Sequence, residues 1–306
     1  MNDKIFIFGH KNPDTDTICS SIVMADLQKK LNGKEIIPCR LGNINEETNY
    51  ALEYFNVEVP ELLEKVEEQQ DVILVDHNEF SQSVDGIENA RIIEVVDHHR
   101  INNFQTAEPL FYYAQPVGCT STILFEMYKT NKLDIEPAIA GLMLSAIISD
   151  TLLLKSPTTT EKDIKAVKEL AQIANVDIDI YGLEMLKAGT NLDKYTESEL
   201  INLDAKKIEK EDNKYIIAQV NTVSIPDVLK RKAKLEEEIK KEIENKGLSL
   251  FIFVITDIVN SNSEAIVLGN RTDAISKTYE INDNIAIMPG VVSRKKQILP
   301  LVEKNM

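Results

Sequence analysis

Three side chains able to bind a metal ion crowd residues 9–16, Gly-His-Lys-Asn-Pro-Asp-Thr-Asp: His10, Asp14 and Asp16. A helix start can use one short acidic side chain as a cap. An imidazole and two carboxylates together exceed that need. Asn12-Pro13 breaks the strand before them, and the two aspartates stand close enough to serve one cluster. The theme returns in Asp76-His77-Asn78-Glu79 and Asp97-His98-His99-Arg100. With His10 these motifs hold all four histidines of the chain. Carboxylate oxygens mixed with imidazole suit Mn²⁺, Co²⁺ or Fe²⁺ better than a thiolate zinc site or an all-oxygen calcium site. The donors are too many for one ion, and two ions sharing a bridging carboxylate would use them. A water bridging two such ions is a strong nucleophile near neutral pH, and the pair clamps the attacking and leaving oxygens of a phosphoryl group.

The elements that must position these groups alternate. Apolar runs at Lys4–Phe8, Glu35–Cys39, Asp71–Val75 and Arg91–Val96 read as strands. Thr17–Ala25 and Thr48–Phe55 read as helices. This βαβα order predicts a parallel sheet with helices on its faces, and sites in such sheets form outside the carboxyl ends of the strands. Three strands therefore deliver acid and histidine tips to one edge. Thr120–Lys129 opens on capping residues. Glu136–Ser149 is apolar almost throughout, as a buried helix is, and runs into Asp150. A charge there is costly unless paired or metal-bound, and a helix C-terminus is the wrong end for an acid. Metal ligand and solvated loop acid are balanced for Asp150 taken alone; the other motifs favour the ligand. A further helix covers 160–174.

The polar break Lys187–Asp193 marks a domain boundary. Beyond it, strands are expected at Tyr215–Val220, Leu248–Ile255 and Ala265–Leu268, with a charged helix at Pro226–Lys246 closed by Gly247. This second domain is smaller and of α+β or mixed type. Its Ser293-Arg294-Lys295-Lys296-Gln297 is a dense basic cluster. It could be a solubilising loop. An anion clamp is the stronger reading, because the first domain offers metal ligands but few cations.

Composition bounds the rest. The 306 residues suit two domains. With 43% hydrophobic and 27% charged residues the chain is ordinary for a soluble protein. No apolar run approaches the roughly 20 residues of a membrane span. The start runs directly into a strand, so no leader is expected. Cys19, Cys39 and Cys119 are scattered and read as reduced packing residues. The net charge of −16 argues against nucleic acid as a partner.

The motifs at His10–Asp16, Asp76–Asn78, Asp97–His99 and Ser293–Gln297, in this order and across the whole length, resemble the family II inorganic pyrophosphatases of the DHH phosphoesterase superfamily. The Asp-His-His motif marks the superfamily and the Ser-Arg-Lys-Lys-Gln motif narrows it. The resemblance implies an α/β fold: a parallel-sheet DHH metal-binding catalytic domain (1–189), a linker (190–194) and a smaller α/β substrate-binding domain of DHHA2 type (195–306), with the active site in the cleft between them. It implies hydrolysis of pyrophosphate to two orthophosphates by a two-metal mechanism with a metal-bridging hydroxide as nucleophile. His10, Asp14 and Asp76 would hold one metal; Asp16, Asp76, His98 and Asp150 the other. His99 would contact a substrate phosphate. Lys206, Arg294 and Lys295 would bind pyrophosphate, and Asp97 and His77 would orient ligands. Mn²⁺ or Co²⁺, two per site, would be the cofactors, with Mg²⁺ on the substrate, in a cytoplasmic homodimer joined through the first domain. Short-chain exopolyphosphatase shares the metal site. A dinucleotide phosphodiesterase should carry a Gly-Gly-Gly-His motif, which is missing, and a non-catalytic metal-dependent binding protein should have lost a ligand.

Overall fold

The computed structural model describes residues 4–33, 36–210 and 213–305, the side chains of Lys210 and Lys295 excepted. Two compact units divide the chain, Met1–Gly189 and Thr190–Met306.

In the first unit, strands β1 (Ile5–Phe8), β2 (Ile36–Arg40), β3 (Glu61–Leu62), β4 (Asp71–Val75), β5 (Arg91–Asp97) and β6 (Phe111–Ala114) form one sheet in the order 3-2-1-4-5-6. Every pairing is parallel, as the βαβα pattern predicts. Glu35, the expected start of β2, lies outside the described residues. Strand order reverses between β1 and β4, the switch point at which such sheets open a crevice for ligands. One face of the sheet buries Ile7, Ile73, Val75 and Val96 under helices α1 (Thr15–Asn32), α3 (Thr120–Thr130), α4 (Pro137–Thr151) and α5 (Glu161–Ala174). The short helix α2 (Glu46–Tyr54) and α6 (Ile178–Gly189) pack in the same core. The other face buries Phe8, Val72, Leu74 and Val95 beneath loops and single turns. Helix α4 is buried along most of its length, as its uniform apolarity requires. It stops in an unusual way. Leu152, Leu153 and Leu154 all take positive φ (48°, 55° and 63°), a short left-handed run.

In the second unit, α7 (Glu197–Asn202) precedes a mixed sheet of β7 (Ala205–Lys210), β8 (Asn213–Thr222), β9 (Leu250–Asp257), β10 (Asn262–Gly269), β11 (Ile281–Asn282) and β12 (Ile285–Met288), ordered 11-12-10-9-8-7. Only β8 and β9 run parallel among the described pairs. Each face has its own apolar core. One includes α8 (Ile225–Leu229) and α9 (Lys232–Lys246); the other includes α10 (Asp273–Ser276) and α11 (Leu299–Asn305). The single helix expected over 226–246 is thus two. The break falls at Lys230–Arg231, where the Arg231 guanidinium donates to the carbonyls of Leu192 (3.1 Å) and Tyr195 (2.6 Å) and pairs with Glu197. No described helix is long and apolar enough to cross a membrane.

Candidate metal centre

The carboxyl ends of β1, β4 and β5 and the start of α1 bring the sequence motifs together. Asp76 follows β4 with φ 59°, a left-handed conformation rare for a non-glycine residue and a recurrent mark of functional sites. Its carboxylate is 1% exposed. Oδ2 accepts from Thr17 Oγ1 (2.7 Å) and lies 3.6 Å from His10 Nε2. Oδ1 accepts from Thr120 Oγ1 (3.1 Å) and lies 3.4 Å from His98 Nε2. The two oxygens of one buried carboxylate therefore face different imidazoles.

Around this axis the donors fall into groups. His10, Asp14 and Asp76 converge, as do Asp76, His98 and His99, and Asp16, Cys119 and Asp150, each set offering one ligand atom per residue with all three atoms within 4.8 Å of one another. Asp14 has two tasks. Its Oδ1 caps α1 by accepting from the Thr17 N–H, while Oδ2 stands 3.4 Å from His10 Nε2. Asp16 is fully buried and lies at the start of α3, accepting from the backbone of Thr120 (2.7 Å) and Ser121 (3.3 Å) and from Ser20 Oγ (2.6 Å). The positive end of that helix favours its charge. Asp150, in the last turn of α4, comes within 3.7 Å of His98.

Hydrogen bonds fix the imidazoles. His98 Nδ1 donates to the Val117 carbonyl (3.0 Å), which turns Nε2 toward Asp76 and Asp150. His99 Nδ1 donates to Asp97 Oδ1 (3.0 Å). Asp97 also accepts from the His99 backbone N–H and, through Oδ2, from Asn78 (2.6 Å). Asp97 thus fixes His99 rather than one of the residues expected to hold metal. His77 does something else. Its Nδ1 donates to the Val75 carbonyl and its Nε2 accepts from Ser83, both at 3.0 Å, so neither nitrogen reaches a ligand. Burial pulls its pKa down to about 4 and keeps it neutral.

Burial and then the charge of Asp16 push the Asp76 carboxyl up to about 7. Burial and the charges of Asp16, Asp76 and Asp14 hold Asp150 well above the usual carboxylate range. For His98 burial works downward, but the Asp76 hydrogen bond and the charge of Asp16 outweigh it and carry the ring up to about 9. Among the described residues Asp14, Asp76 and Asp150 have only histidines as ion-pair partners. Crowded acids that burial and mutual repulsion make costly, beside imidazoles with fixed tautomers, are a donor set that divalent cations fit.

The expected anion-binding residues belong to the second unit. Lys206 is exposed on edge strand β7. The guanidinium of Arg294 pairs with Asp204 Oδ1 (2.9 Å) and donates to the Asp204 carbonyl. Arg294 opens a π-helical turn (Arg294–Ile298) pinned by Gln219, whose Oε1 accepts from the Arg294 N–H (3.0 Å) and whose amide donates to Thr256 and to the Val292 carbonyl. The Lys295 side chain lies outside the described residues. Sequence reasoning missed Thr17 and Thr120, the hydroxyls that fix Asp76; Cys119, read as a packing residue, is fully buried in the first unit's core. The only sequence signal for Thr17 was its place one residue past Asp16.

A family model described as the DHH family, N-terminal domain, matches residues 4–147, and one described as the DHHA2 domain matches 183–305. The fold and site are those of a DHH protein with a DHHA2 domain. A Bacillus subtilis (strain 168) protein named manganese-dependent inorganic pyrophosphatase is 56% identical over 307 residues, covering 99% of each chain. A Methanococcus jannaschii crystal structure described as a family II inorganic pyrophosphatase is 40% identical with a TM-score of 0.63, over 98% of this chain and 99% of that one. An exopolyphosphatase-related protein from Bacteroides fragilis, at 15% identity and TM-score 0.51 over 99% and 92%, shares the fold alone. The chain belongs to the manganese-dependent, family II inorganic pyrophosphatases.

Proposed function

We propose that the chain hydrolyses pyrophosphate to two orthophosphates, using two Mn²⁺ or Co²⁺ ions, with Mg²⁺ accompanying the substrate. The observation that carries this reading is Asp76, a buried carboxylate whose oxygens each face a different imidazole, as a ligand shared by two ions would. His10, Asp14 and Asp76 would hold one ion; Asp16, Asp76, His98 and Asp150 would hold the other. Ions there would supply positive charge to phosphoryl oxygens and lower the pKa of a bound water. The chain's own groups do the rest. Thr17 and Thr120 fix both oxygens of Asp76. Asp97 holds His99 by Nδ1 and leaves Nε2 for a substrate phosphate. Lys206, Arg294 and Lys295 offset the charge that develops on the departing phosphate, and positioning with charge stabilisation is most of what phosphoryl transfer asks.

Residues 1–189 are accordingly the metal-binding catalytic domain, 190–194 a linker and 195–306 the substrate-binding domain. The protein acts in the cytoplasm as a homodimer joined through the first domain, without nucleic-acid or membrane partners. The test is phosphate release by metal-stripped protein after Mn²⁺ is returned, on pyrophosphate, short polyphosphate and a dinucleotide in parallel. Release from pyrophosphate alone is expected. Release mainly from polyphosphate would move the chain to exopolyphosphatase chemistry, and silence on all three with Mn²⁺ bound would leave a binding protein.

A further inference from the structure

Glu47, in the first turn of α2, is a half-buried carboxylate that the proposed reaction does not use. Its Oε1 accepts from Thr15 Oγ1 (2.8 Å) and from Ser149 Oγ. Thr15 sits between Asp14 and Asp16. Ser149 immediately precedes Asp150. One oxygen thus ties Thr15, 32 residues before Glu47, to Ser149, 102 residues after it, and these two flank three of the four clustered aspartates. Thr15 is fully buried and also shares a hydrogen bond with Thr48 (3.2 Å), so α2 grips the start of α1 at two points. The far side of Glu47 is closed as well. A Cβ on Gly189 would lie 2.9 Å from both Cβ and Oε2 of Glu47, so the end of α6 leaves room for no side chain there.

Burial raises the Glu47 carboxyl above its ordinary range, although the two hydroxyl bonds oppose the rise. An acceptor oxygen kept at that cost, and bonded to the neighbours of Asp14, Asp16 and Asp150, is explained by the geometry it imposes on them. From the two hydroxyl bonds and the close approach of Gly189 we infer that Glu47 is a positioning residue: a strut that sets Asp14 and Asp16 at the correct separation from Asp150 for a pair of divalent ions. The inference rests on the metal reading above. Groups that orient ligands typically change metal affinity by about 10- to 100-fold when removed.

The experiment is Mn²⁺ titration by calorimetry on the full chain, wild type beside E47A and E47Q, with thermal melts of the metal-stripped proteins. Expected are a 10- to 100-fold weaker Mn²⁺ affinity for E47A at a nearly unchanged metal-free melting point, and recovery to within a few-fold in E47Q, which keeps the acceptor oxygen. Should E47A fail to fold, T15V and S149A each remove one leg of the strut, and each should weaken Mn²⁺ binding. Wild-type affinity in E47A, or in both leg variants, would overturn the inference while leaving the metal centre standing. An E47Q as weak as E47A would overturn the strut in favour of charge alone. A wild-type chain that takes up no Mn²⁺ would sink the centre and the strut together.

Discussion

Asp16 and Asp76 are almost wholly buried in the first unit, each with its oxygens held by named donors, whereas Lys206 in the second is exposed and Arg294 is held through an aspartate that is itself 60% exposed. The anionic half of the chemistry is built in advance and shielded from water. Of the cations, Lys206 is displayed at a strand edge, whereas Arg294, only 20% exposed, is held on one π-helical turn. Buried carboxylates keep their geometry and respond strongly to protons and metal; exposed cations are screened by salt and exchange partners readily.

Four measurements sharpen or break this contrast. The largest effect is expected from Asp76→Asn, which weakens the proposed shared ligand, whose oxygens face His10 on one side and His98 and His99 on the other. Turnover should fall by at least about 10³-fold, as it does when one part of an interdependent set is lost, with Mn²⁺ stoichiometry reduced. Near-normal turnover at full metal content would refute the shared role. Next is pH. In the metal-free chain His98 keeps its proton up to about 9 and Asp76 up to about 7. Metal must displace both protons, so Mn²⁺ affinity should fall as pH drops from 9 through 7, by on the order of tenfold per unit for each proton displaced. Calorimetry in buffers of different ionisation enthalpy counts those protons, and none released would contradict the buried acid picture. Arg294→Ala should raise KM for pyrophosphate by roughly 10- to 100-fold, the worth of a hydrogen bond to a charged group, with Mn²⁺ affinity intact; lost metal would mean the halves are not separable as described. The smallest effect is salt. Raising KCl from low to near-molar levels should weaken pyrophosphate binding by about a few-fold through screening, and leave Mn²⁺ affinity nearly flat.

The first unit was the more legible from sequence for the same reason. Metal ligands must be His or Asp, and strands that end in them announce both the element and the edge. The single helix over 226–246 failed because its pattern is locally sound and the break is set at a distance, by the carbonyls that Arg231 reaches. Strand β6 is only Phe-Tyr-Tyr-Ala, too short for a period to show, and β11 and β12 are shorter than or equal to it. His77 was misread because its neighbours are ligands, and only the positions of Val75 and Ser83 reveal that its nitrogens are already taken. Glu47 carries no motif at all; its meaning lies in two hydroxyls that sequence places far from each other.

The left-handed leucines after Asp150 bear on what holds that residue in place. Such a conformation costs about 1–2 kcal/mol per residue, and three in succession cannot persist in a free chain. What offsets it is partly local, since the Leu153 N–H donates to the Ile148 carbonyl (3.0 Å) and the Leu154 N–H to Thr151 Oγ1 (3.2 Å), and partly tertiary: Leu153 lies against α6 at Gly182, where an added Cβ would come within 2.4 Å of Leu153 Cδ2. The end of α4, and with it the position of Asp150 two residues before the run, therefore depends on α6 as well as on α4 itself: a side chain at Gly182 would push on the leucines that follow Asp150.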